Sequence, residues 1–577
     1  MVMDIKPMEH KIQFTGLLAI EIQRKKERVG SKFARSFKRS TKKIALHSFK
    51  ITETFAKFKA ILFSKAYMSF RKTCFSNFIA LGFACLLVTM PVAHAVDWKI
   101  VPSIAVAETY TDNAFLDSAN SARKGWISDI TPGIRIEHIG KKSLLFLDYR
   151  LHNIYYSDAP HQNNTQNVLS SRTTLEAIDN WLFFDAQANI SQQNRTAFGS
   201  ANTADGTGLS VRNTNRVETT AYQAAPYIRG KLSDVATYQL RFNRTNSRTN
   251  DIALPNTNIE EWSGHFKSIP SSASIAWTIE GNLSNIQNQI IGHRQDNRAI
   301  ASFLYSIDPQ LILTVLGGRE STNYISANSQ QSTISGFGIE WVPSPRTQIA
   351  AIKQRRFFGD SYIAIFSHRT PLTVWRFASN QDIVLLPNLL AASSPSSLSN
   401  LMFDLLASAI PDPAMRRDEV SKRLEKTGIP PNALLGGGFL TARPSVNRAQ
   451  EASAAIVGAI NTLTLTFSKK TQRSLSAGNI DTDRRFFDDI EQRSLNVALS
   501  HKLTPITNIV FLASQLRTYG LVAMHPEAKQ TFFSMFLTTP LGPQTSLSLG
   551  ARHVKFISSV ATSYRENALV ALLTIRF

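Results

Sequence analysis

Apolar residues recur at every second position, in run after run, from Trp98 to the end of the chain. Leu145, Leu147, Tyr149 and Leu151 oppose Asp148, Arg150 and His152. Tyr238, Leu240 and Phe242 oppose Gln239, Arg241 and Asn243. Leu463, Leu465 and Phe467 oppose Thr462, Thr464, Thr466 and Ser468, and Leu547, Leu549 and Ala551 oppose Ser546, Ser548, Gly550 and Arg552. Successive side chains of a strand point to opposite faces, so this period means strands with one apolar face. A helix would repeat at about 3.6 residues and is excluded for these runs. Most runs are about ten to fourteen residues long, enough for a tilted strand to cross the hydrocarbon of a bilayer.

Connections between the runs alternate in kind. Short turns at 140–142, 179–180, 232–234, 270–272, 308–309, 343–345, 370–371, 460–461, 503–505 and 541–543 use Pro, Gly, Asn, Asp or Ser. Longer polar segments lie between them, among them 110–125, 157–164, 194–213, 249–257, 323–331 and 475–489. Short turns on one side and long loops on the other are the plan of a transmembrane β-barrel, with an apolar outside and a polar lumen. Upward strands begin near 98, 143, 182, 235, 273, 310, 346, 372, 461, 507 and 545, and each has a returning partner. The expectation is an all-β fold, a large antiparallel transmembrane β-barrel of about 22 strands. Trp98, Tyr155, Trp181, Trp262, Trp341 and Tyr519 sit near run ends, where aromatic girdles form.

The last strand carries the same message. Leu569, Ala571, Leu573, Ile575 and Phe577 form one apolar face, against Glu566, Val570, Leu572, Thr574 and Arg576. A chain that stops on an aromatic after such a run resembles the signal by which outer-membrane barrels are recognised for insertion. We therefore expect Leu569, Leu573, Ile575 and Phe577 to form the lipid face of the barrel-closing strand, read by the barrel-assembly machinery.

The front end reads as an export signal. Arg71 and Lys72 precede the apolar run 78–88, and Ala93-His94-Ala95 supplies a small-x-small cleavage site, which puts cleavage after Ala95. Residues 1–68 carry 16 Lys+Arg and 5 Asp+Glu. They read as a disordered basic extension or as an upstream extension of the reading frame, with Met68 as the true start. Of the formal net charge of +22, +11 lies in residues 1–68 and two charges are Arg71 and Lys72, which leaves +9 for residues 96–577. That is no electrostatic footprint for nucleic acid. Cys74 and Cys85, the only cysteines, both lie in the signal. The mature chain therefore contains no disulfide and no cysteine-ligated metal.

One segment, 385–447, lacks alternation. Leu398, Leu401, Met402, Leu405, Leu406 and Ala409 have helical spacing over 397–410, and a second helix is predicted over 411–427. Gly436, Gly437 and Gly438 follow no strand–helix phosphate context and read as a connector. Strand parity puts this insertion on the extracellular side, either in the barrel mouth as a lid or plug or as a hairpin on the rim.

Signs of catalysis are sparse. No HExxH, GxSxG or Walker motif occurs. His152 and His501 are isolated bases that read as lumen or interface residues. Asp481, Asp483, Asp488 and Asp489 have a spacing that could hold Ca²⁺, against the plainer reading of a solvated loop. Lumen charges are expected at Asp148, Arg150, Arg241 and Arg376, and also at Arg319, Glu320, Arg355, Arg493 and Arg552. We expect no enzyme, no cofactor and no metal.

The stretch 98–136 carries a resemblance. Pro102, Glu108, Tyr110, Asp112, Asn113, Phe115, Pro132 and Gly133 fall in an order similar to that of the outer-membrane β-barrel proteins associated with the PEP-CTERM/exosortase system and its exopolysaccharide loci. The resemblance covers most of residues 96–577. It implies an outer-membrane protein of a Gram-negative bacterium, beside machinery that makes or exports an exopolysaccharide or displays PEP-CTERM proteins. The expected role is a conduit or assembly partner. A general diffusion porin and a structural barrel with a filled lumen are the alternatives. A TonB-dependent transporter is disfavoured, because no plug-sized domain separates the signal from Trp98.

Overall fold

The computed structural model describes residues 98–577, except 202–210, 252–255, 270–273, 290–291, 327, 476–488, 522–524 and most of 385–443. Within the last segment Phe403, Leu406, Arg416, Glu419 and Val420 are described. The basic segment 1–68, the signal 69–95, both predicted helices apart from those five residues, Gly436–Gly438 and the Asp481–Asp488 carboxylates lie outside the described residues.

The strands are β1 (Trp98–Thr111), β2 (Gly125–Ile139), β3 (Ser143–Tyr156), β4 (Asn164–Ile178), β5 (Leu182–Asn194), β6 (Arg216–Leu232), β7 (Ala236–Thr249), β8 (Thr257–Ser268), β9 (Ile275–Asn288), β10 (Gly292–Asp308) and β11 (Leu311–Thr322). They continue as β12 (Gln330–Ser344), β13 (Thr347–Arg356), β14 (Gly359–Arg369), β15 (Thr373–Val384), β16 (Ser445–Val457), β17 (Asn461–Ser474), β18 (Ile490–Lys502), β19 (Asn508–Gly520), β20 (Glu527–Pro540), β21 (Thr545–Ser558) and β22 (Tyr564–Arg576). Each pairs antiparallel with the next, and β1 pairs with β22, so the 22-stranded sheet closes on itself. Closure leaves no sheet edge. All eleven predicted upward strands begin within two residues of the positions read from the turns.

Alternation becomes inside and outside. On β22, Tyr564, Glu566, Ala568 and Val570 are buried while Leu569 is 62% exposed. Phe303, Val315 and Phe337 are 63–66% exposed on the same outer face. A belt of large apolar side chains around a whole barrel is the surface of a body immersed in an apolar medium, since in water it would drive aggregation. Trp98, Trp181, Trp341 and Trp375 mark its lower margin at the short-turn end. Tyr110, Trp126 and Tyr155 mark the upper margin at the long-loop end. Trp262 lies on β8 between these margins, opposite Phe242.

The seam joins β1 and β22, the most distant strands in sequence. Nine residue pairs join them, from Ser103↔Arg576 to Thr111↔Ala568. The amide of Phe577 extends the ladder by donating to the Pro102 carbonyl at 2.9 Å. Proline brings no N–H, and this position at the end of the seam asks for none. At the loop end the Asp112 amide donates to the Asn567 carbonyl. Asn567 returns two bonds to the Asp112 carboxylate, at 2.7 and 2.6 Å.

Three expected lumen charges face outward instead. Arg319, Arg355 and Arg493 share the exposed register with Val315, Lys353 and Leu495. Each lies in the last four or five residues of its strand at the loop end, beyond the apolar belt. An outward charge there meets water or headgroups rather than hydrocarbon.

Candidate functional site: the inner wall and its mouth

Inward side chains set the chemistry of the wall. From β2 to β15 it carries a series of linked polar groups. Asp148 lies between Arg135 and Arg150, each at 3.0 Å. Gly133 makes room for this pairing, since an added Cβ would sit 3.2 Å from Arg150 Cγ and 2.9 Å from Ser103 Oγ. Arg241 reaches Asp185 at 2.6 Å and lies over the Tyr227 ring, which stacks on Phe183. Arg229 covers the other ring of that stack. Gln223 donates to Asn243, and Asn243 and Asn282 both donate to Glu261. Arg376 sits opposite Ser367 and Ser453 on the inner face.

The most buried of these groups is a triad that sequence reading only half found. Glu320 accepts from Arg356 Nε at 2.9 Å, from the Phe357 amide at 2.6 Å and from Ser332 Oγ at 3.0 Å. Arg356 also donates to Asp382 at 2.8 Å. Of the adjacent arginines 355 and 356, the second points inward. The signal was parity with Glu320: strand partners share a face, and Ser335 opposite Arg355 lies outward.

Near the seam Arg552 and Glu566 form a second enclosed ion pair at 2.7 Å, and Thr111 donates to Glu566. His152 Nδ1 lies 2.9 Å from Asp129 Oδ2 and 3.0 Å from Thr131 Oγ1. Both neighbours meet the same ring nitrogen, so the group lacks a nucleophile–base–orienter relay. His501 faces outward beside Asn461. No group of three metal-ligating side chains occurs among the described residues.

Among polar neighbours such as Gln492, Gln530 and Ser534, the inner face of β18–β22 also carries an apolar cluster. Ile490, Ala498, Val510, Leu512, Ala528, Phe532, Val554, Phe556 and Tyr564 face inward on β18–β22. They are covered from within. Ala197 and Phe198 come from the loop after β5, and Leu406 and Val420 come from the connection between β15 and β16. Leu406 and Val420 are 4% and 1% exposed. Phe403 packs on the same cluster, under the Arg416 guanidinium. Phe403, Arg416, Glu419 and Val420 have helical backbone.

The loop after β5 is tied down as well as packed. Ser200 Oγ meets Tyr564 OH, and the Ala201 amide donates to Gln530 Oε1 at 2.8 Å. Gln530 Nε2 donates back to the Ala201 carbonyl, and Ser558 donates to the Phe198 carbonyl. A segment that reads in sequence as an outer loop thus runs inward across the mouth to β20–β22.

The resemblance residues have structural positions. Asn113 Nδ2 donates to the carbonyls of Asp117 and Arg565, and its Oδ1 accepts from the Asp117 amide. Glu108 accepts from Ser128 on the outer face. Tyr110 packs against Trp126 and Phe115 against Tyr156. Pro132 lies opposite Ile104.

No family model and no curated protein sequence matches the chain. Among solved structures, the FrpB iron transporter from Neisseria meningitidis (F5-1 variant) is similar at 9% identity, covering 84% of this chain and 83% of that one, with a TM-score of 0.47. The siderophore receptor PirA from Acinetobacter baumannii is similar at 7% identity, covering 84% and 81%, with a TM-score of 0.45. The outer membrane protein opdK from Pseudomonas aeruginosa is similar at 10% identity, covering 83% and 99%, with a TM-score of 0.33. Likenesses this distant carry nothing about cargo.

Proposed function

We propose that this chain is an outer-membrane β-barrel of a Gram-negative bacterium, exported by cleavage after Ala95, and that it works as a non-enzymatic conduit. The observation that carries this reading is the covered part of the inner wall. An apolar cluster on β18–β22 is covered by inward-folded segments, which act as a plug, and the linked polar groups of β2–β15 are left to line a passage. Amides, carboxylates and the Phe183–Tyr227 ring pair suit sugar hydroxyls and ring faces. That supports an exopolysaccharide as cargo, in keeping with the PEP-CTERM/exosortase resemblance. PEP-CTERM protein display is the other role that resemblance implies.

The test is single-channel conductance of the whole barrel against a variant lacking 386–446. A rise on deletion supports the plugged conduit. A high conductance in both proteins favours a general diffusion porin. No conductance in either favours a filled structural barrel. Deleting the gene and finding unchanged surface polysaccharide removes the proposed cargo.

A further inference from the structure

The outer face of β17–β22 carries six basic side chains close to the loop end. Four are successive cross-strand partners: Lys469↔Arg493, Arg493↔Arg517 and Arg517↔Lys529. Lys555 and Arg565 are partners on the next two strands, one side-chain step nearer the turn end. Directly opposite side chains have Cβ atoms about 4.5–5.5 Å apart, and like charges placed so are destabilising. With strands about 4.8 Å apart, the first four charges span about 14 Å of surface. Two carboxylates lie one row nearer the loop end, Glu491 and Glu527. Glu491 takes Arg493 at 2.6 Å and Lys469 at 3.2 Å. Among the described residues no ion pair joins Arg517, Lys529, Lys555 or Arg565 to an acid. A chain that holds four like charges in one row has something to gain from a polyanion placed across them.

Below this row the same strands form a groove of about 770 Å³, lined by Val497, Phe511, Phe533, Met535, Ala551 and Leu569. Val497 follows Arg493 by four residues, Ala513 precedes Arg517 by four, and Phe533 follows Lys529 by four. Charge and groove are therefore separated by about 13 Å along each strand. That is the layout of a lipid with an anionic head and apolar tails.

We propose that this surface binds a phosphorylated, multiply acylated glycolipid of the outer leaflet, of the lipid A class. Its phosphates would lie on the Lys469–Arg493–Arg517–Lys529 row, where charge-assisted bonds to phosphate are strong, and an acyl chain would fill the groove. The proposal rests on the outer-membrane reading above.

The experiment uses the whole barrel in a zwitterionic detergent. Bisphosphorylated lipid A, dephosphorylated lipid A, phosphatidylglycerol and inorganic phosphate are titrated separately, with binding read by native mass spectrometry. The wild type is expected to prefer bisphosphorylated over dephosphorylated lipid A at least tenfold, and to bind phosphatidylglycerol and inorganic phosphate more weakly. Arg517→Gln with Lys529→Gln is expected to lose that preference, and Phe533→Glu to weaken both forms of lipid A. Equal affinity for the two forms overturns the proposal. So does an unchanged preference in the double variant, or binding of phosphate or phosphatidylglycerol as tight as that of lipid A. Heat-modifiable migration of the same samples reports the barrel separately. A folded barrel without lipid preference sinks this proposal alone, whereas no shift and no insertion into bilayers sinks the outer-membrane reading.

Discussion

Arg552 and Glu566 are almost wholly enclosed, and each satisfies the other. Removing one partner of such a pair strands a charge, which typically costs about 3–5 kcal/mol, whereas removing both can be nearly neutral. We expect Arg552→Met to lower the urea midpoint of unfolding in detergent, and Arg552→Met with Glu566→Met to recover most of the loss. A double variant no better than the single would show that the pair is not coupled. At the turn end Lys142 pairs with Asp179 in open solvent. The hydrogen bond from Lys142, then its charge, holds the Asp179 carboxyl below its ordinary value, and the same bond raises Lys142. A lowered carboxylate gives stability that is present above its unfolded value and lost as pH falls through the folded one. A raised lysine gives stability that is lost as pH rises through its folded value. A carbon-detected titration of Asp179 is expected to move up toward the ordinary carboxylate range in Lys142→Gln; an unmoved titration would mean the contact does not persist in solution.

At the scale of elements, the seam is where the resemblance residues do most. Asp112 and Asn113 together bond Asp117, Arg565 and Asn567, clamping the loop end of β1 to β22. Each bond contributes about 1 kcal/mol. Asn113→Ala is therefore expected to lower the temperature at which the folded gel band is lost, and Asp112→Ala to do the same. Surface changes such as Asn153→Ala serve as the comparison. The strands themselves were legible in the chain, because period two and turn chemistry are local signals that neighbouring residues express unaided. The lumen list was less so. Arg319 and Glu320 are adjacent and cannot share a face, and near a strand's loop end outward charge is tolerated. Parity has to decide there, and it selects Glu320 and Arg356.

At the scale of the whole molecule, what the sequence could not disclose is which loops turn inward. The loop after β5 is polar and looks solvated by composition. Ala197 and Phe198, near its start, show their purpose only when β18–β22 present an apolar cluster on the far side of the seam. That cluster is itself a departure from a wholly polar lumen, and it is visible in sequence as Ile490, Phe532, Val554 and Phe556 in the inward register. If the loop governs passage, its tethers set how often the mouth opens. Gln530→Ala with Tyr564→Phe removes the side-chain bonds to Ala201 and Ser200 while leaving every strand bond in place. With those bonds gone, the packing of Ala197 and Phe198 and the bond from Ser558 still hold this segment to β18–β22. We expect the variant to fold, by the same gel shift as wild type, and to show more frequent or larger conductance steps. Current traces identical to wild type would mean that the loop is fixed by packing alone, or that the insertion between β15 and β16 closes the passage without it. Adding Phe198→Ser to the variant separates those outcomes, since it releases the packing and leaves the insertion untouched.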